Sequence, residues 1–404
     1  MKPKFYRKVL KNGMTILFEK RNLPVVCVAF AVKQGGINET ETEKGISHFI
    51  EHMLYKGTPT RNAKKIADEI EGSGGELNGF TDETITAYWC KMPSKHLDVA
   101  LTVLSDMIKN PLFDKKELEK ERQVIFEEIK MRKDSPRVYV FDKIQGYLYK
   151  GSLGKSLIGT YDTMNSISRE QILQKFKETY RPNNLILGIV GNADFEKIVK
   201  FAEKNFGKIK NGSSDKTKTE PKILTKNESK FEKRKGIDQA NLIFAHHVPL
   251  ARDKKSYAAM VLGTLMAGGM SSRLFMEIRE KRNLAYAVKG DCDINKSFSY
   301  NLIYVGTTAE NVEKIRKIIL EEFKKVAKGL TEKELKQIKE QLIGNYSISM
   351  EDSQMQLINL LLCEMNGDAS EFYDFVKNIS NVKLKDVKDL AKIKNYSFFA
   401  LVPE

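Results

Sequence analysis

The chain repeats itself, and the repeat restricts its fold more than any other feature. Lys208 to Lys235 is polar and poor in hydrophobic residues (Asn211-Gly-Ser-Ser-Asp-Lys-Thr-Lys-Thr-Glu220-Pro221), the composition of a linker between compact units. On either side the same features recur in the same order. A strand-like opening (Val26 to Val32; Asn241 to His246) leads to a helix, a glycine-bearing turn and alternating strand sequence (Thr84 to Lys91; Ser299 to Val305). An amphipathic helix and a charged helix start follow. The match is plainest where Asp114-Lys-Lys-Glu-Leu118 faces Thr331-Glu-Lys-Glu-Leu335, and later where Ile167 to Val190 faces Val382 to Val402. A period of about half the chain is far too long for a solenoid, so the pattern is an internal duplication.

Two cores are expected in 404 residues, because single cores stop growing well before this size. The expected division is 1–210 for the first domain, 211–235 for the linker and 236–404 for the second. Strands in hairpin-like succession, without strict alternation with helices, predict an α+β class. Each of two homologous domains would be a mainly antiparallel sheet with helices packed on one face.

Charge and composition narrow the function. The net charge is +15, but the lysines are spread along the chain and mixed with acids, so a solvated surface is expected and not a nucleic-acid partner. Charged residues break every apolar run well short of the roughly 18 residues of a membrane span. The opening Met1-Lys-Pro-Lys-Phe5 runs into strand-like sequence without the apolar stretch of a secretory signal, which predicts a soluble, cytoplasmic protein. Cys27, Cys90, Cys292 and Cys363 lie far apart with no C-x-x-C spacing, as buried free thiols would. Gly154-Lys155-Ser156 ends like a phosphate-binding loop, yet the glycine needed five positions earlier is Tyr149, so no nucleotide site is assigned. The adjacent His246 and His247 would point to opposite sides of a strand and are read as structural.

The chemistry concentrates in Gly45-Ile-Ser-His48-Phe-Ile-Glu51-His52-Met-Leu-Tyr-Lys-Gly57. Helix-forming residues between glycines put His48 and His52, four apart, on one face of one turn, where two imidazoles share a metal. Glu51 lies beside that face, near enough to polarise water at the metal without being a ligand. This is the H-x-x-E-H pattern of inverted zincins. The neighbours Ile46, Phe49, Ile50, Met53 and Leu54 make the helix apolar nearly all round. Its polar side chains must then be paired, at a cost of about 2 kcal/mol or more each if they are not. A catalytic zinc takes three protein ligands and keeps one open position. The third is predicted from Glu117-Leu-Glu-Lys-Glu121-Arg-Gln-Val-Ile-Phe-Glu127-Glu128-Ile129. There Glu121, Val124, Ile125 and Glu128 form one helical stripe, with Glu127 turned away. Glu128 is assigned as ligand and Glu121 as an auxiliary carboxylate. Zinc is the expected metal, one ion per chain, although this ligand set also suits manganese or cobalt.

These residues resemble the pitrilysin and mitochondrial-processing-peptidase family of zinc peptidases. The resemblance covers nearly the whole chain, through His48-Phe-Ile-Glu51-His52-Met-Leu-Tyr-Lys-Gly-Thr58, Gly74-Gly-Glu-Leu-Asn78-Gly-Phe-Thr81, the Glu121 to Glu128 segment and Gly268-Gly-Met-Ser-Ser-Arg-Leu-Phe275. It places the distal glutamate 76 positions after His52, at Glu128, and gives Glu121 an auxiliary catalytic role. It also implies that Arg279 and Tyr286 hold the substrate and its developing oxyanion, a role suited to preorganised donors. A peptide would add as a strand to the sheet edge near Asn78 to Tyr88, with Asn78 among the residues that bind it. Gly79 departs from the family, where alanine is common, and is expected to loosen that edge. The positions facing His48, Glu51 and His52 in the second copy are Tyr257, Met260 and Val261, so only the first copy keeps a metal site. Short two-domain members of this kind act as homodimers, each zinc site completed by Arg279 and Tyr286 of the other chain. The implied function is zinc-dependent endopeptidase cleavage of peptides or unfolded segments, with Glu51 as general base. The alternative is a non-catalytic scaffold of the same fold, but such members are expected to have lost a ligand.

Overall fold

The computed structural model describes residues 3–212 and 221–404, so the middle of the expected linker lies outside the described residues. In chain order the strands are β1 (Lys4–Val9), β2 (Thr15–Lys20), β3 (Val25–Val32), β4 (Glu76–Thr81), β5 (Thr86–Pro93), β6 (Tyr149–Lys150), β7 (Leu185–Gly191), β8 (Lys222–Ile223), β9 (Glu228–Arg234), β10 (Ala240–His247), β11 (Ala285–Ile294), β12 (Ser299–Thr307) and β13 (Ser397–Pro403). The helices of the first half used below are α1 (Ile46–Leu54), α2 (Ala63–Glu71), α3 (Leu97–Lys109), α4 (Lys115–Asp134) and α5 (Pro136–Leu148).

The chain forms two compact units. One is built from Met1–Ile129, Ser156–Thr219 and Ser349–Tyr373, the other from Lys130–Lys155, Glu220–Ile348 and Asp374–Glu404.

In the first unit a six-stranded sheet runs β1-β2-β7-β3-β5-β4. Its pairs are antiparallel except β2 with β7. Phe18, Val28, Phe30, Tyr88, Leu187 and Ile189 face a core closed by α1, α2 and α3. The other face is covered too. At Gly188, which alternates with those core residues on β7, a side chain would strike Leu357 and Leu361 of the helix Ser353–Asn366. Each such leucine, fully buried, contributes about 1.5–3 kcal/mol.

The second unit repeats the plan. Its five-stranded sheet runs β11-β12-β10-β13-β9, with only β13 and β9 parallel. This is the order β4-β5-β3-β7-β2 again, as the duplication requires. The helices Ser256–Ala267 and Val312–Gly329 close the core on one face. On the other face α5 sets Tyr139 and Tyr147 against Phe399, and Phe141 against Tyr304.

The α+β class and the two sheets with packed helices agree with the sequence reading, and three details differ. Helices cover both faces of each sheet, because central strands such as Val25–Val32, buried from residue 26 on, and Leu185–Gly191, buried throughout, have no face for water. Strands of that kind cannot leave one face in water. The units are not the continuous stretches 1–210 and 236–404. Each sheet takes the helix over its second face from the other half of the sequence, α5 in one case and Ser353–Asn366 in the other. Finally, the stretch 221–235 is not linker: β8 pairs with β6, and β9 forms a parallel ladder with β13. All four cysteines are free, Cys27 and Cys90 buried and Cys292 and Cys363 partly so. Among the described residues no helix is long and apolar enough to cross a membrane.

Candidate metal centre

α1 begins abruptly. Gly45, just before it, has φ 96°, a backbone state that glycine adopts without penalty. A Cβ there would also stand 2.7 Å from the carbonyl oxygen of Ile158. The exposed N–H groups of the first turn are met by Glu39, whose Oε2 accepts from Gly45 N at 2.9 Å and Oε1 from Ser47 N at 2.7 Å. An acidic group at a helix N-terminus is favourable for charge as well as for hydrogen bonding. With the start fixed, Ile46, Phe49, Ile50, Met53 and Leu54 enter the core, and His48 and His52 share the face they leave.

The two Nε2 atoms face each other at 3.2 Å. Glu128, on α4, brings Oε2 to 3.5 Å from His48 Nε2 and Oε1 to 3.6 Å from His52 Nε2. Metal–ligand bonds of about 2.0–2.1 Å in a tetrahedral site put ligand atoms roughly 3.3–3.4 Å apart. The 3.2 Å between the two nitrogens is close to that spacing, and each nitrogen lies near it from a different oxygen of Glu128. One turn earlier on α4, Glu121 Oε2 lies 3.0 Å from His52 Nδ1, and its Oε1 accepts from Lys56 Nζ at 2.6 Å. An ionised carboxylate only accepts hydrogen bonds, so Nδ1 donates and Nε2 keeps its lone pair toward Glu128 and His48. Two imidazole nitrogens and a carboxylate converging in this way fit a zinc ion, and His48, His52 and Glu128 are the residues that would hold it.

Glu51 points beside this cluster. Thr81 Oγ1 donates to Glu51 Oε2 at 2.6 Å. Burial pushes the Glu51 carboxyl above its ordinary range, while the Thr81 hydrogen bond and nearby His52 pull it back. Thr81 ends β4, which is the edge strand of the sheet. Its main chain pairs with β5 on one side only, as a strand that accepts an added peptide must. Asn78 is exposed on that edge, and its side chain accepts from Gly79 N at 2.8 Å. Along α4, Glu121 and Ile125 are buried and Glu127 is exposed. Val124 departs from the expected stripe: it lies on its flank and is 43% exposed.

Arg279 and Tyr286 belong to the second unit. Arg279 lies in a π-helical turn, Phe275–Glu280, half-exposed with its guanidinium 5.0 Å from the centre of the Phe275 ring. Tyr286 is the extra residue of a β-bulge: Ala285 pairs with Thr307 and Ala287 with Gly306. Bulges re-aim side chains. Here the phenol crosses Gly306, where any Cβ would collide with the ring, and meets Tyr304, which in turn donates to Asn241 Oδ1 at 2.7 Å. The structure thus gathers Glu51, Glu121 and Glu128 around the two histidines, while Arg279 and Tyr286 stand in the other unit. Lys56 and Glu39 carried no readable signal in the sequence. Thr81 lay within the motif Asn78-Gly-Phe-Thr81, but its spacing from Glu51 says nothing of the contact.

Comparison with known proteins agrees with this geometry. Residues 15–161 match the family described as Insulinase (Peptidase family M16), and residues 166–342 match Peptidase M16 inactive domain. An uncharacterized zinc protease of Rickettsia felis is 35% identical over 356 residues, 87% of this chain and 85% of the relative. The chain belongs to the M16 peptidase family. The uncharacterized zinc protease YmxG of Bacillus subtilis is 31% identical across 96% of this M16 chain and 94% of its own. Two solved structures share the fold. A protease from Helicobacter pylori superposes with a TM-score of 0.92 at 24% identity, covering 99% of this chain and all of that one. A peptidase M16 inactive domain from Pseudomonas fluorescens gives 0.89 at 19% identity, covering 99% of this chain and 98% of that one. The inactive-domain description of the second half suits an M16 copy whose corresponding helix, Ser256–Ala267, contains no histidine and no glutamate.

Proposed function

We propose that this chain is a zinc-dependent endopeptidase that cleaves peptides or unfolded polypeptide segments bound as an added strand along β4. The observation that carries the reading is the convergence of His48, His52 and Glu128, with Glu51 held by Thr81 at the end of an open sheet edge. A zinc ion bound there supplies Lewis acidity, acidifying water and polarising the scissile carbonyl. Glu51 takes the proton of the attacking water and delivers it to the leaving amine. Its raised affinity for protons, from burial, suits both steps. Glu121 keeps His52 in the tautomer that presents Nε2. Arg279 and Tyr286, supplied by the second chain of a homodimer, donate to the oxyanion as charge develops. Four free cysteines and no disulfide favour a cytoplasmic setting.

The test is cleavage of a pool of unstructured peptides, about 10–30 residues long so that they can pair with an edge strand, by wild type and Glu51→Gln, with mass-spectrometric readout. Wild type should cut, a chelator should stop it, and the variant should bind zinc but leave the peptides whole. Zinc-replete wild type that leaves every peptide intact would overturn the reading in favour of a scaffold.

A further inference from the structure

Behind the metal helix lies a charged cluster that this hydrolysis does not use. Lys44 is 0% exposed. Its Nζ stands 3.4 Å from Glu83 Oε2 and 3.9 Å from Glu39 Oε2, and both carboxylates are buried with it. Glu39 already holds the first turn of α1 through Gly45 N and Ser47 N. Glu83 sits in the turn of the β4–β5 hairpin, which is closed by Asp82 N to Ile85 O at 2.8 Å.

The loop before α1 stitches these two places together. Gly36 N donates to Asp82 O at 3.2 Å and Ile37 N to Glu83 O at 2.9 Å. Thr86 Oγ1 donates to Gln34 O at 3.0 Å, and Gln34 Nε2 reaches Ser47 Oγ at 3.2 Å. A Cβ at Gly36 would lie 2.4 Å from Glu83 Oε2 and 2.6 Å from Lys44 Nζ, so only glycine lets the charges meet there. Buried ion pairs give little net stability over apolar packing, and in some proteins they instead fix one arrangement among several. Burial pushes the Glu83 carboxyl upward, and Lys44 pulls it back.

We propose that Lys44 and Glu83 are positioning residues: with Glu39 they lock the β4–β5 hairpin onto the start of α1, so that Thr81 keeps Glu51 aimed while a peptide pairs along β4. The catalytic meaning of the lock rests on the peptidase reading; the lock itself does not.

The test uses zinc-loaded, full-length wild type, Glu83→Gln, Thr81→Val and the double variant. Lys44→Met would strand two buried carboxylates and could unfold the unit, so Glu83→Gln, which keeps the shape, carries the experiment, with Lys44→Met/Glu83→Gln beside it. Hydrogen exchange should quicken in 45–51 and 76–86 together in Glu83→Gln and in Lys44→Met/Glu83→Gln, with zinc content unchanged. Glu83→Gln should lower kcat about 10- to 100-fold, as small misplacements near the chemistry do, with little change in KM. The double variant should be no worse than its worse single. Exchange that changes only in the turn, or losses that multiply, would overturn the lock. If wild type cuts nothing while both segments loosen in Glu83→Gln, the peptidase reading fails and the lock stands.

Discussion

Tyr55 and Gly79 compete for one space: a Cβ on residue 79 would lie 2.4 Å from the Tyr55 hydroxyl, 2.8 Å from Ala87 O and 3.3 Å from Glu51 Oε1. The phenol occupies the space that a side chain at residue 79 would take. The Tyr55 hydroxyl is buried there and has no hydrogen-bond partner among the described residues. Gly79→Ala should push the phenol toward Glu51 and lower kcat/KM by about tenfold or more, equivalent to at least 1.4 kcal/mol of transition-state stabilisation. Tyr55→Phe/Gly79→Ala should regain part of that loss. Peptide kinetics at saturating zinc measure both. A double variant no better than Gly79→Ala would show that the clash with Ala87 O dominates.

Glu121 acts on the metal site through His52. Removing a carboxylate that orients a ligating histidine typically costs about 10- to 100-fold in metal affinity. Glu121→Ala should fall in that range by competition with a chromophoric chelator, and Glu128→Ala, which deletes a ligand, should fall further. Equal affinities for wild type and Glu121→Ala would mean that the Glu121–His52 contact does not set the imidazole.

How much of this was legible in the sequence follows from the range of each interaction. The His-x-x-Glu-His turn is local: its geometry follows from helix periodicity alone, so His48, His52 and Glu51 could be placed before any fold was known. Glu128 needed a second helix, and the stripe on α4 gave its face but not its distance. The exchanged helices were hidden because composition cannot say which sheet a helix covers, although the unbroken apolar runs at Val25–Val32 and Leu185–Gly191 did signal two-sided burial. Lys44, Glu39 and Glu83 read as ordinary surface charges in a Lys-rich chain. Only the packing of a loop against a hairpin turn makes them a cluster. Tyr286 owes its direction to one extra residue in a strand, which no hydrophobic pattern records.

If each active site of a homodimer takes Arg279 and Tyr286 from its neighbour, two dead variants can restore one another. Glu51→Gln and Arg279→Ala should each be inactive alone and regain activity on equimolar mixing, to about a quarter of wild type, because half of the dimers are mixed and each mixed dimer has one intact site. Subunit exchange would be followed separately by mass tagging. Proven exchange without recovered activity would rule out shared sites.

Acid should unlock the second unit through His246. Its ring is fully buried on β10 against Phe244 and Phe323, and neither nitrogen has a hydrogen-bond partner among the described residues. Burial lowers its pKa from the ordinary 6.5 to about 3, with His247 adding to the effect. The native state therefore stays neutral while the unfolded chain takes up a proton as pH drops below 6.5, so stability present above that value is lost down to about 3. At pH 5 the loss is about 2 kcal/mol. Burial also lowers the neighbouring His247, which adds in the same direction. Denaturant midpoints at pH 7.5 and pH 5 should thus move apart in wild type and draw together in His246→Leu, which is close in volume and carries no titratable group. A His246→Leu variant with the full wild-type pH dependence would place the acid sensitivity elsewhere.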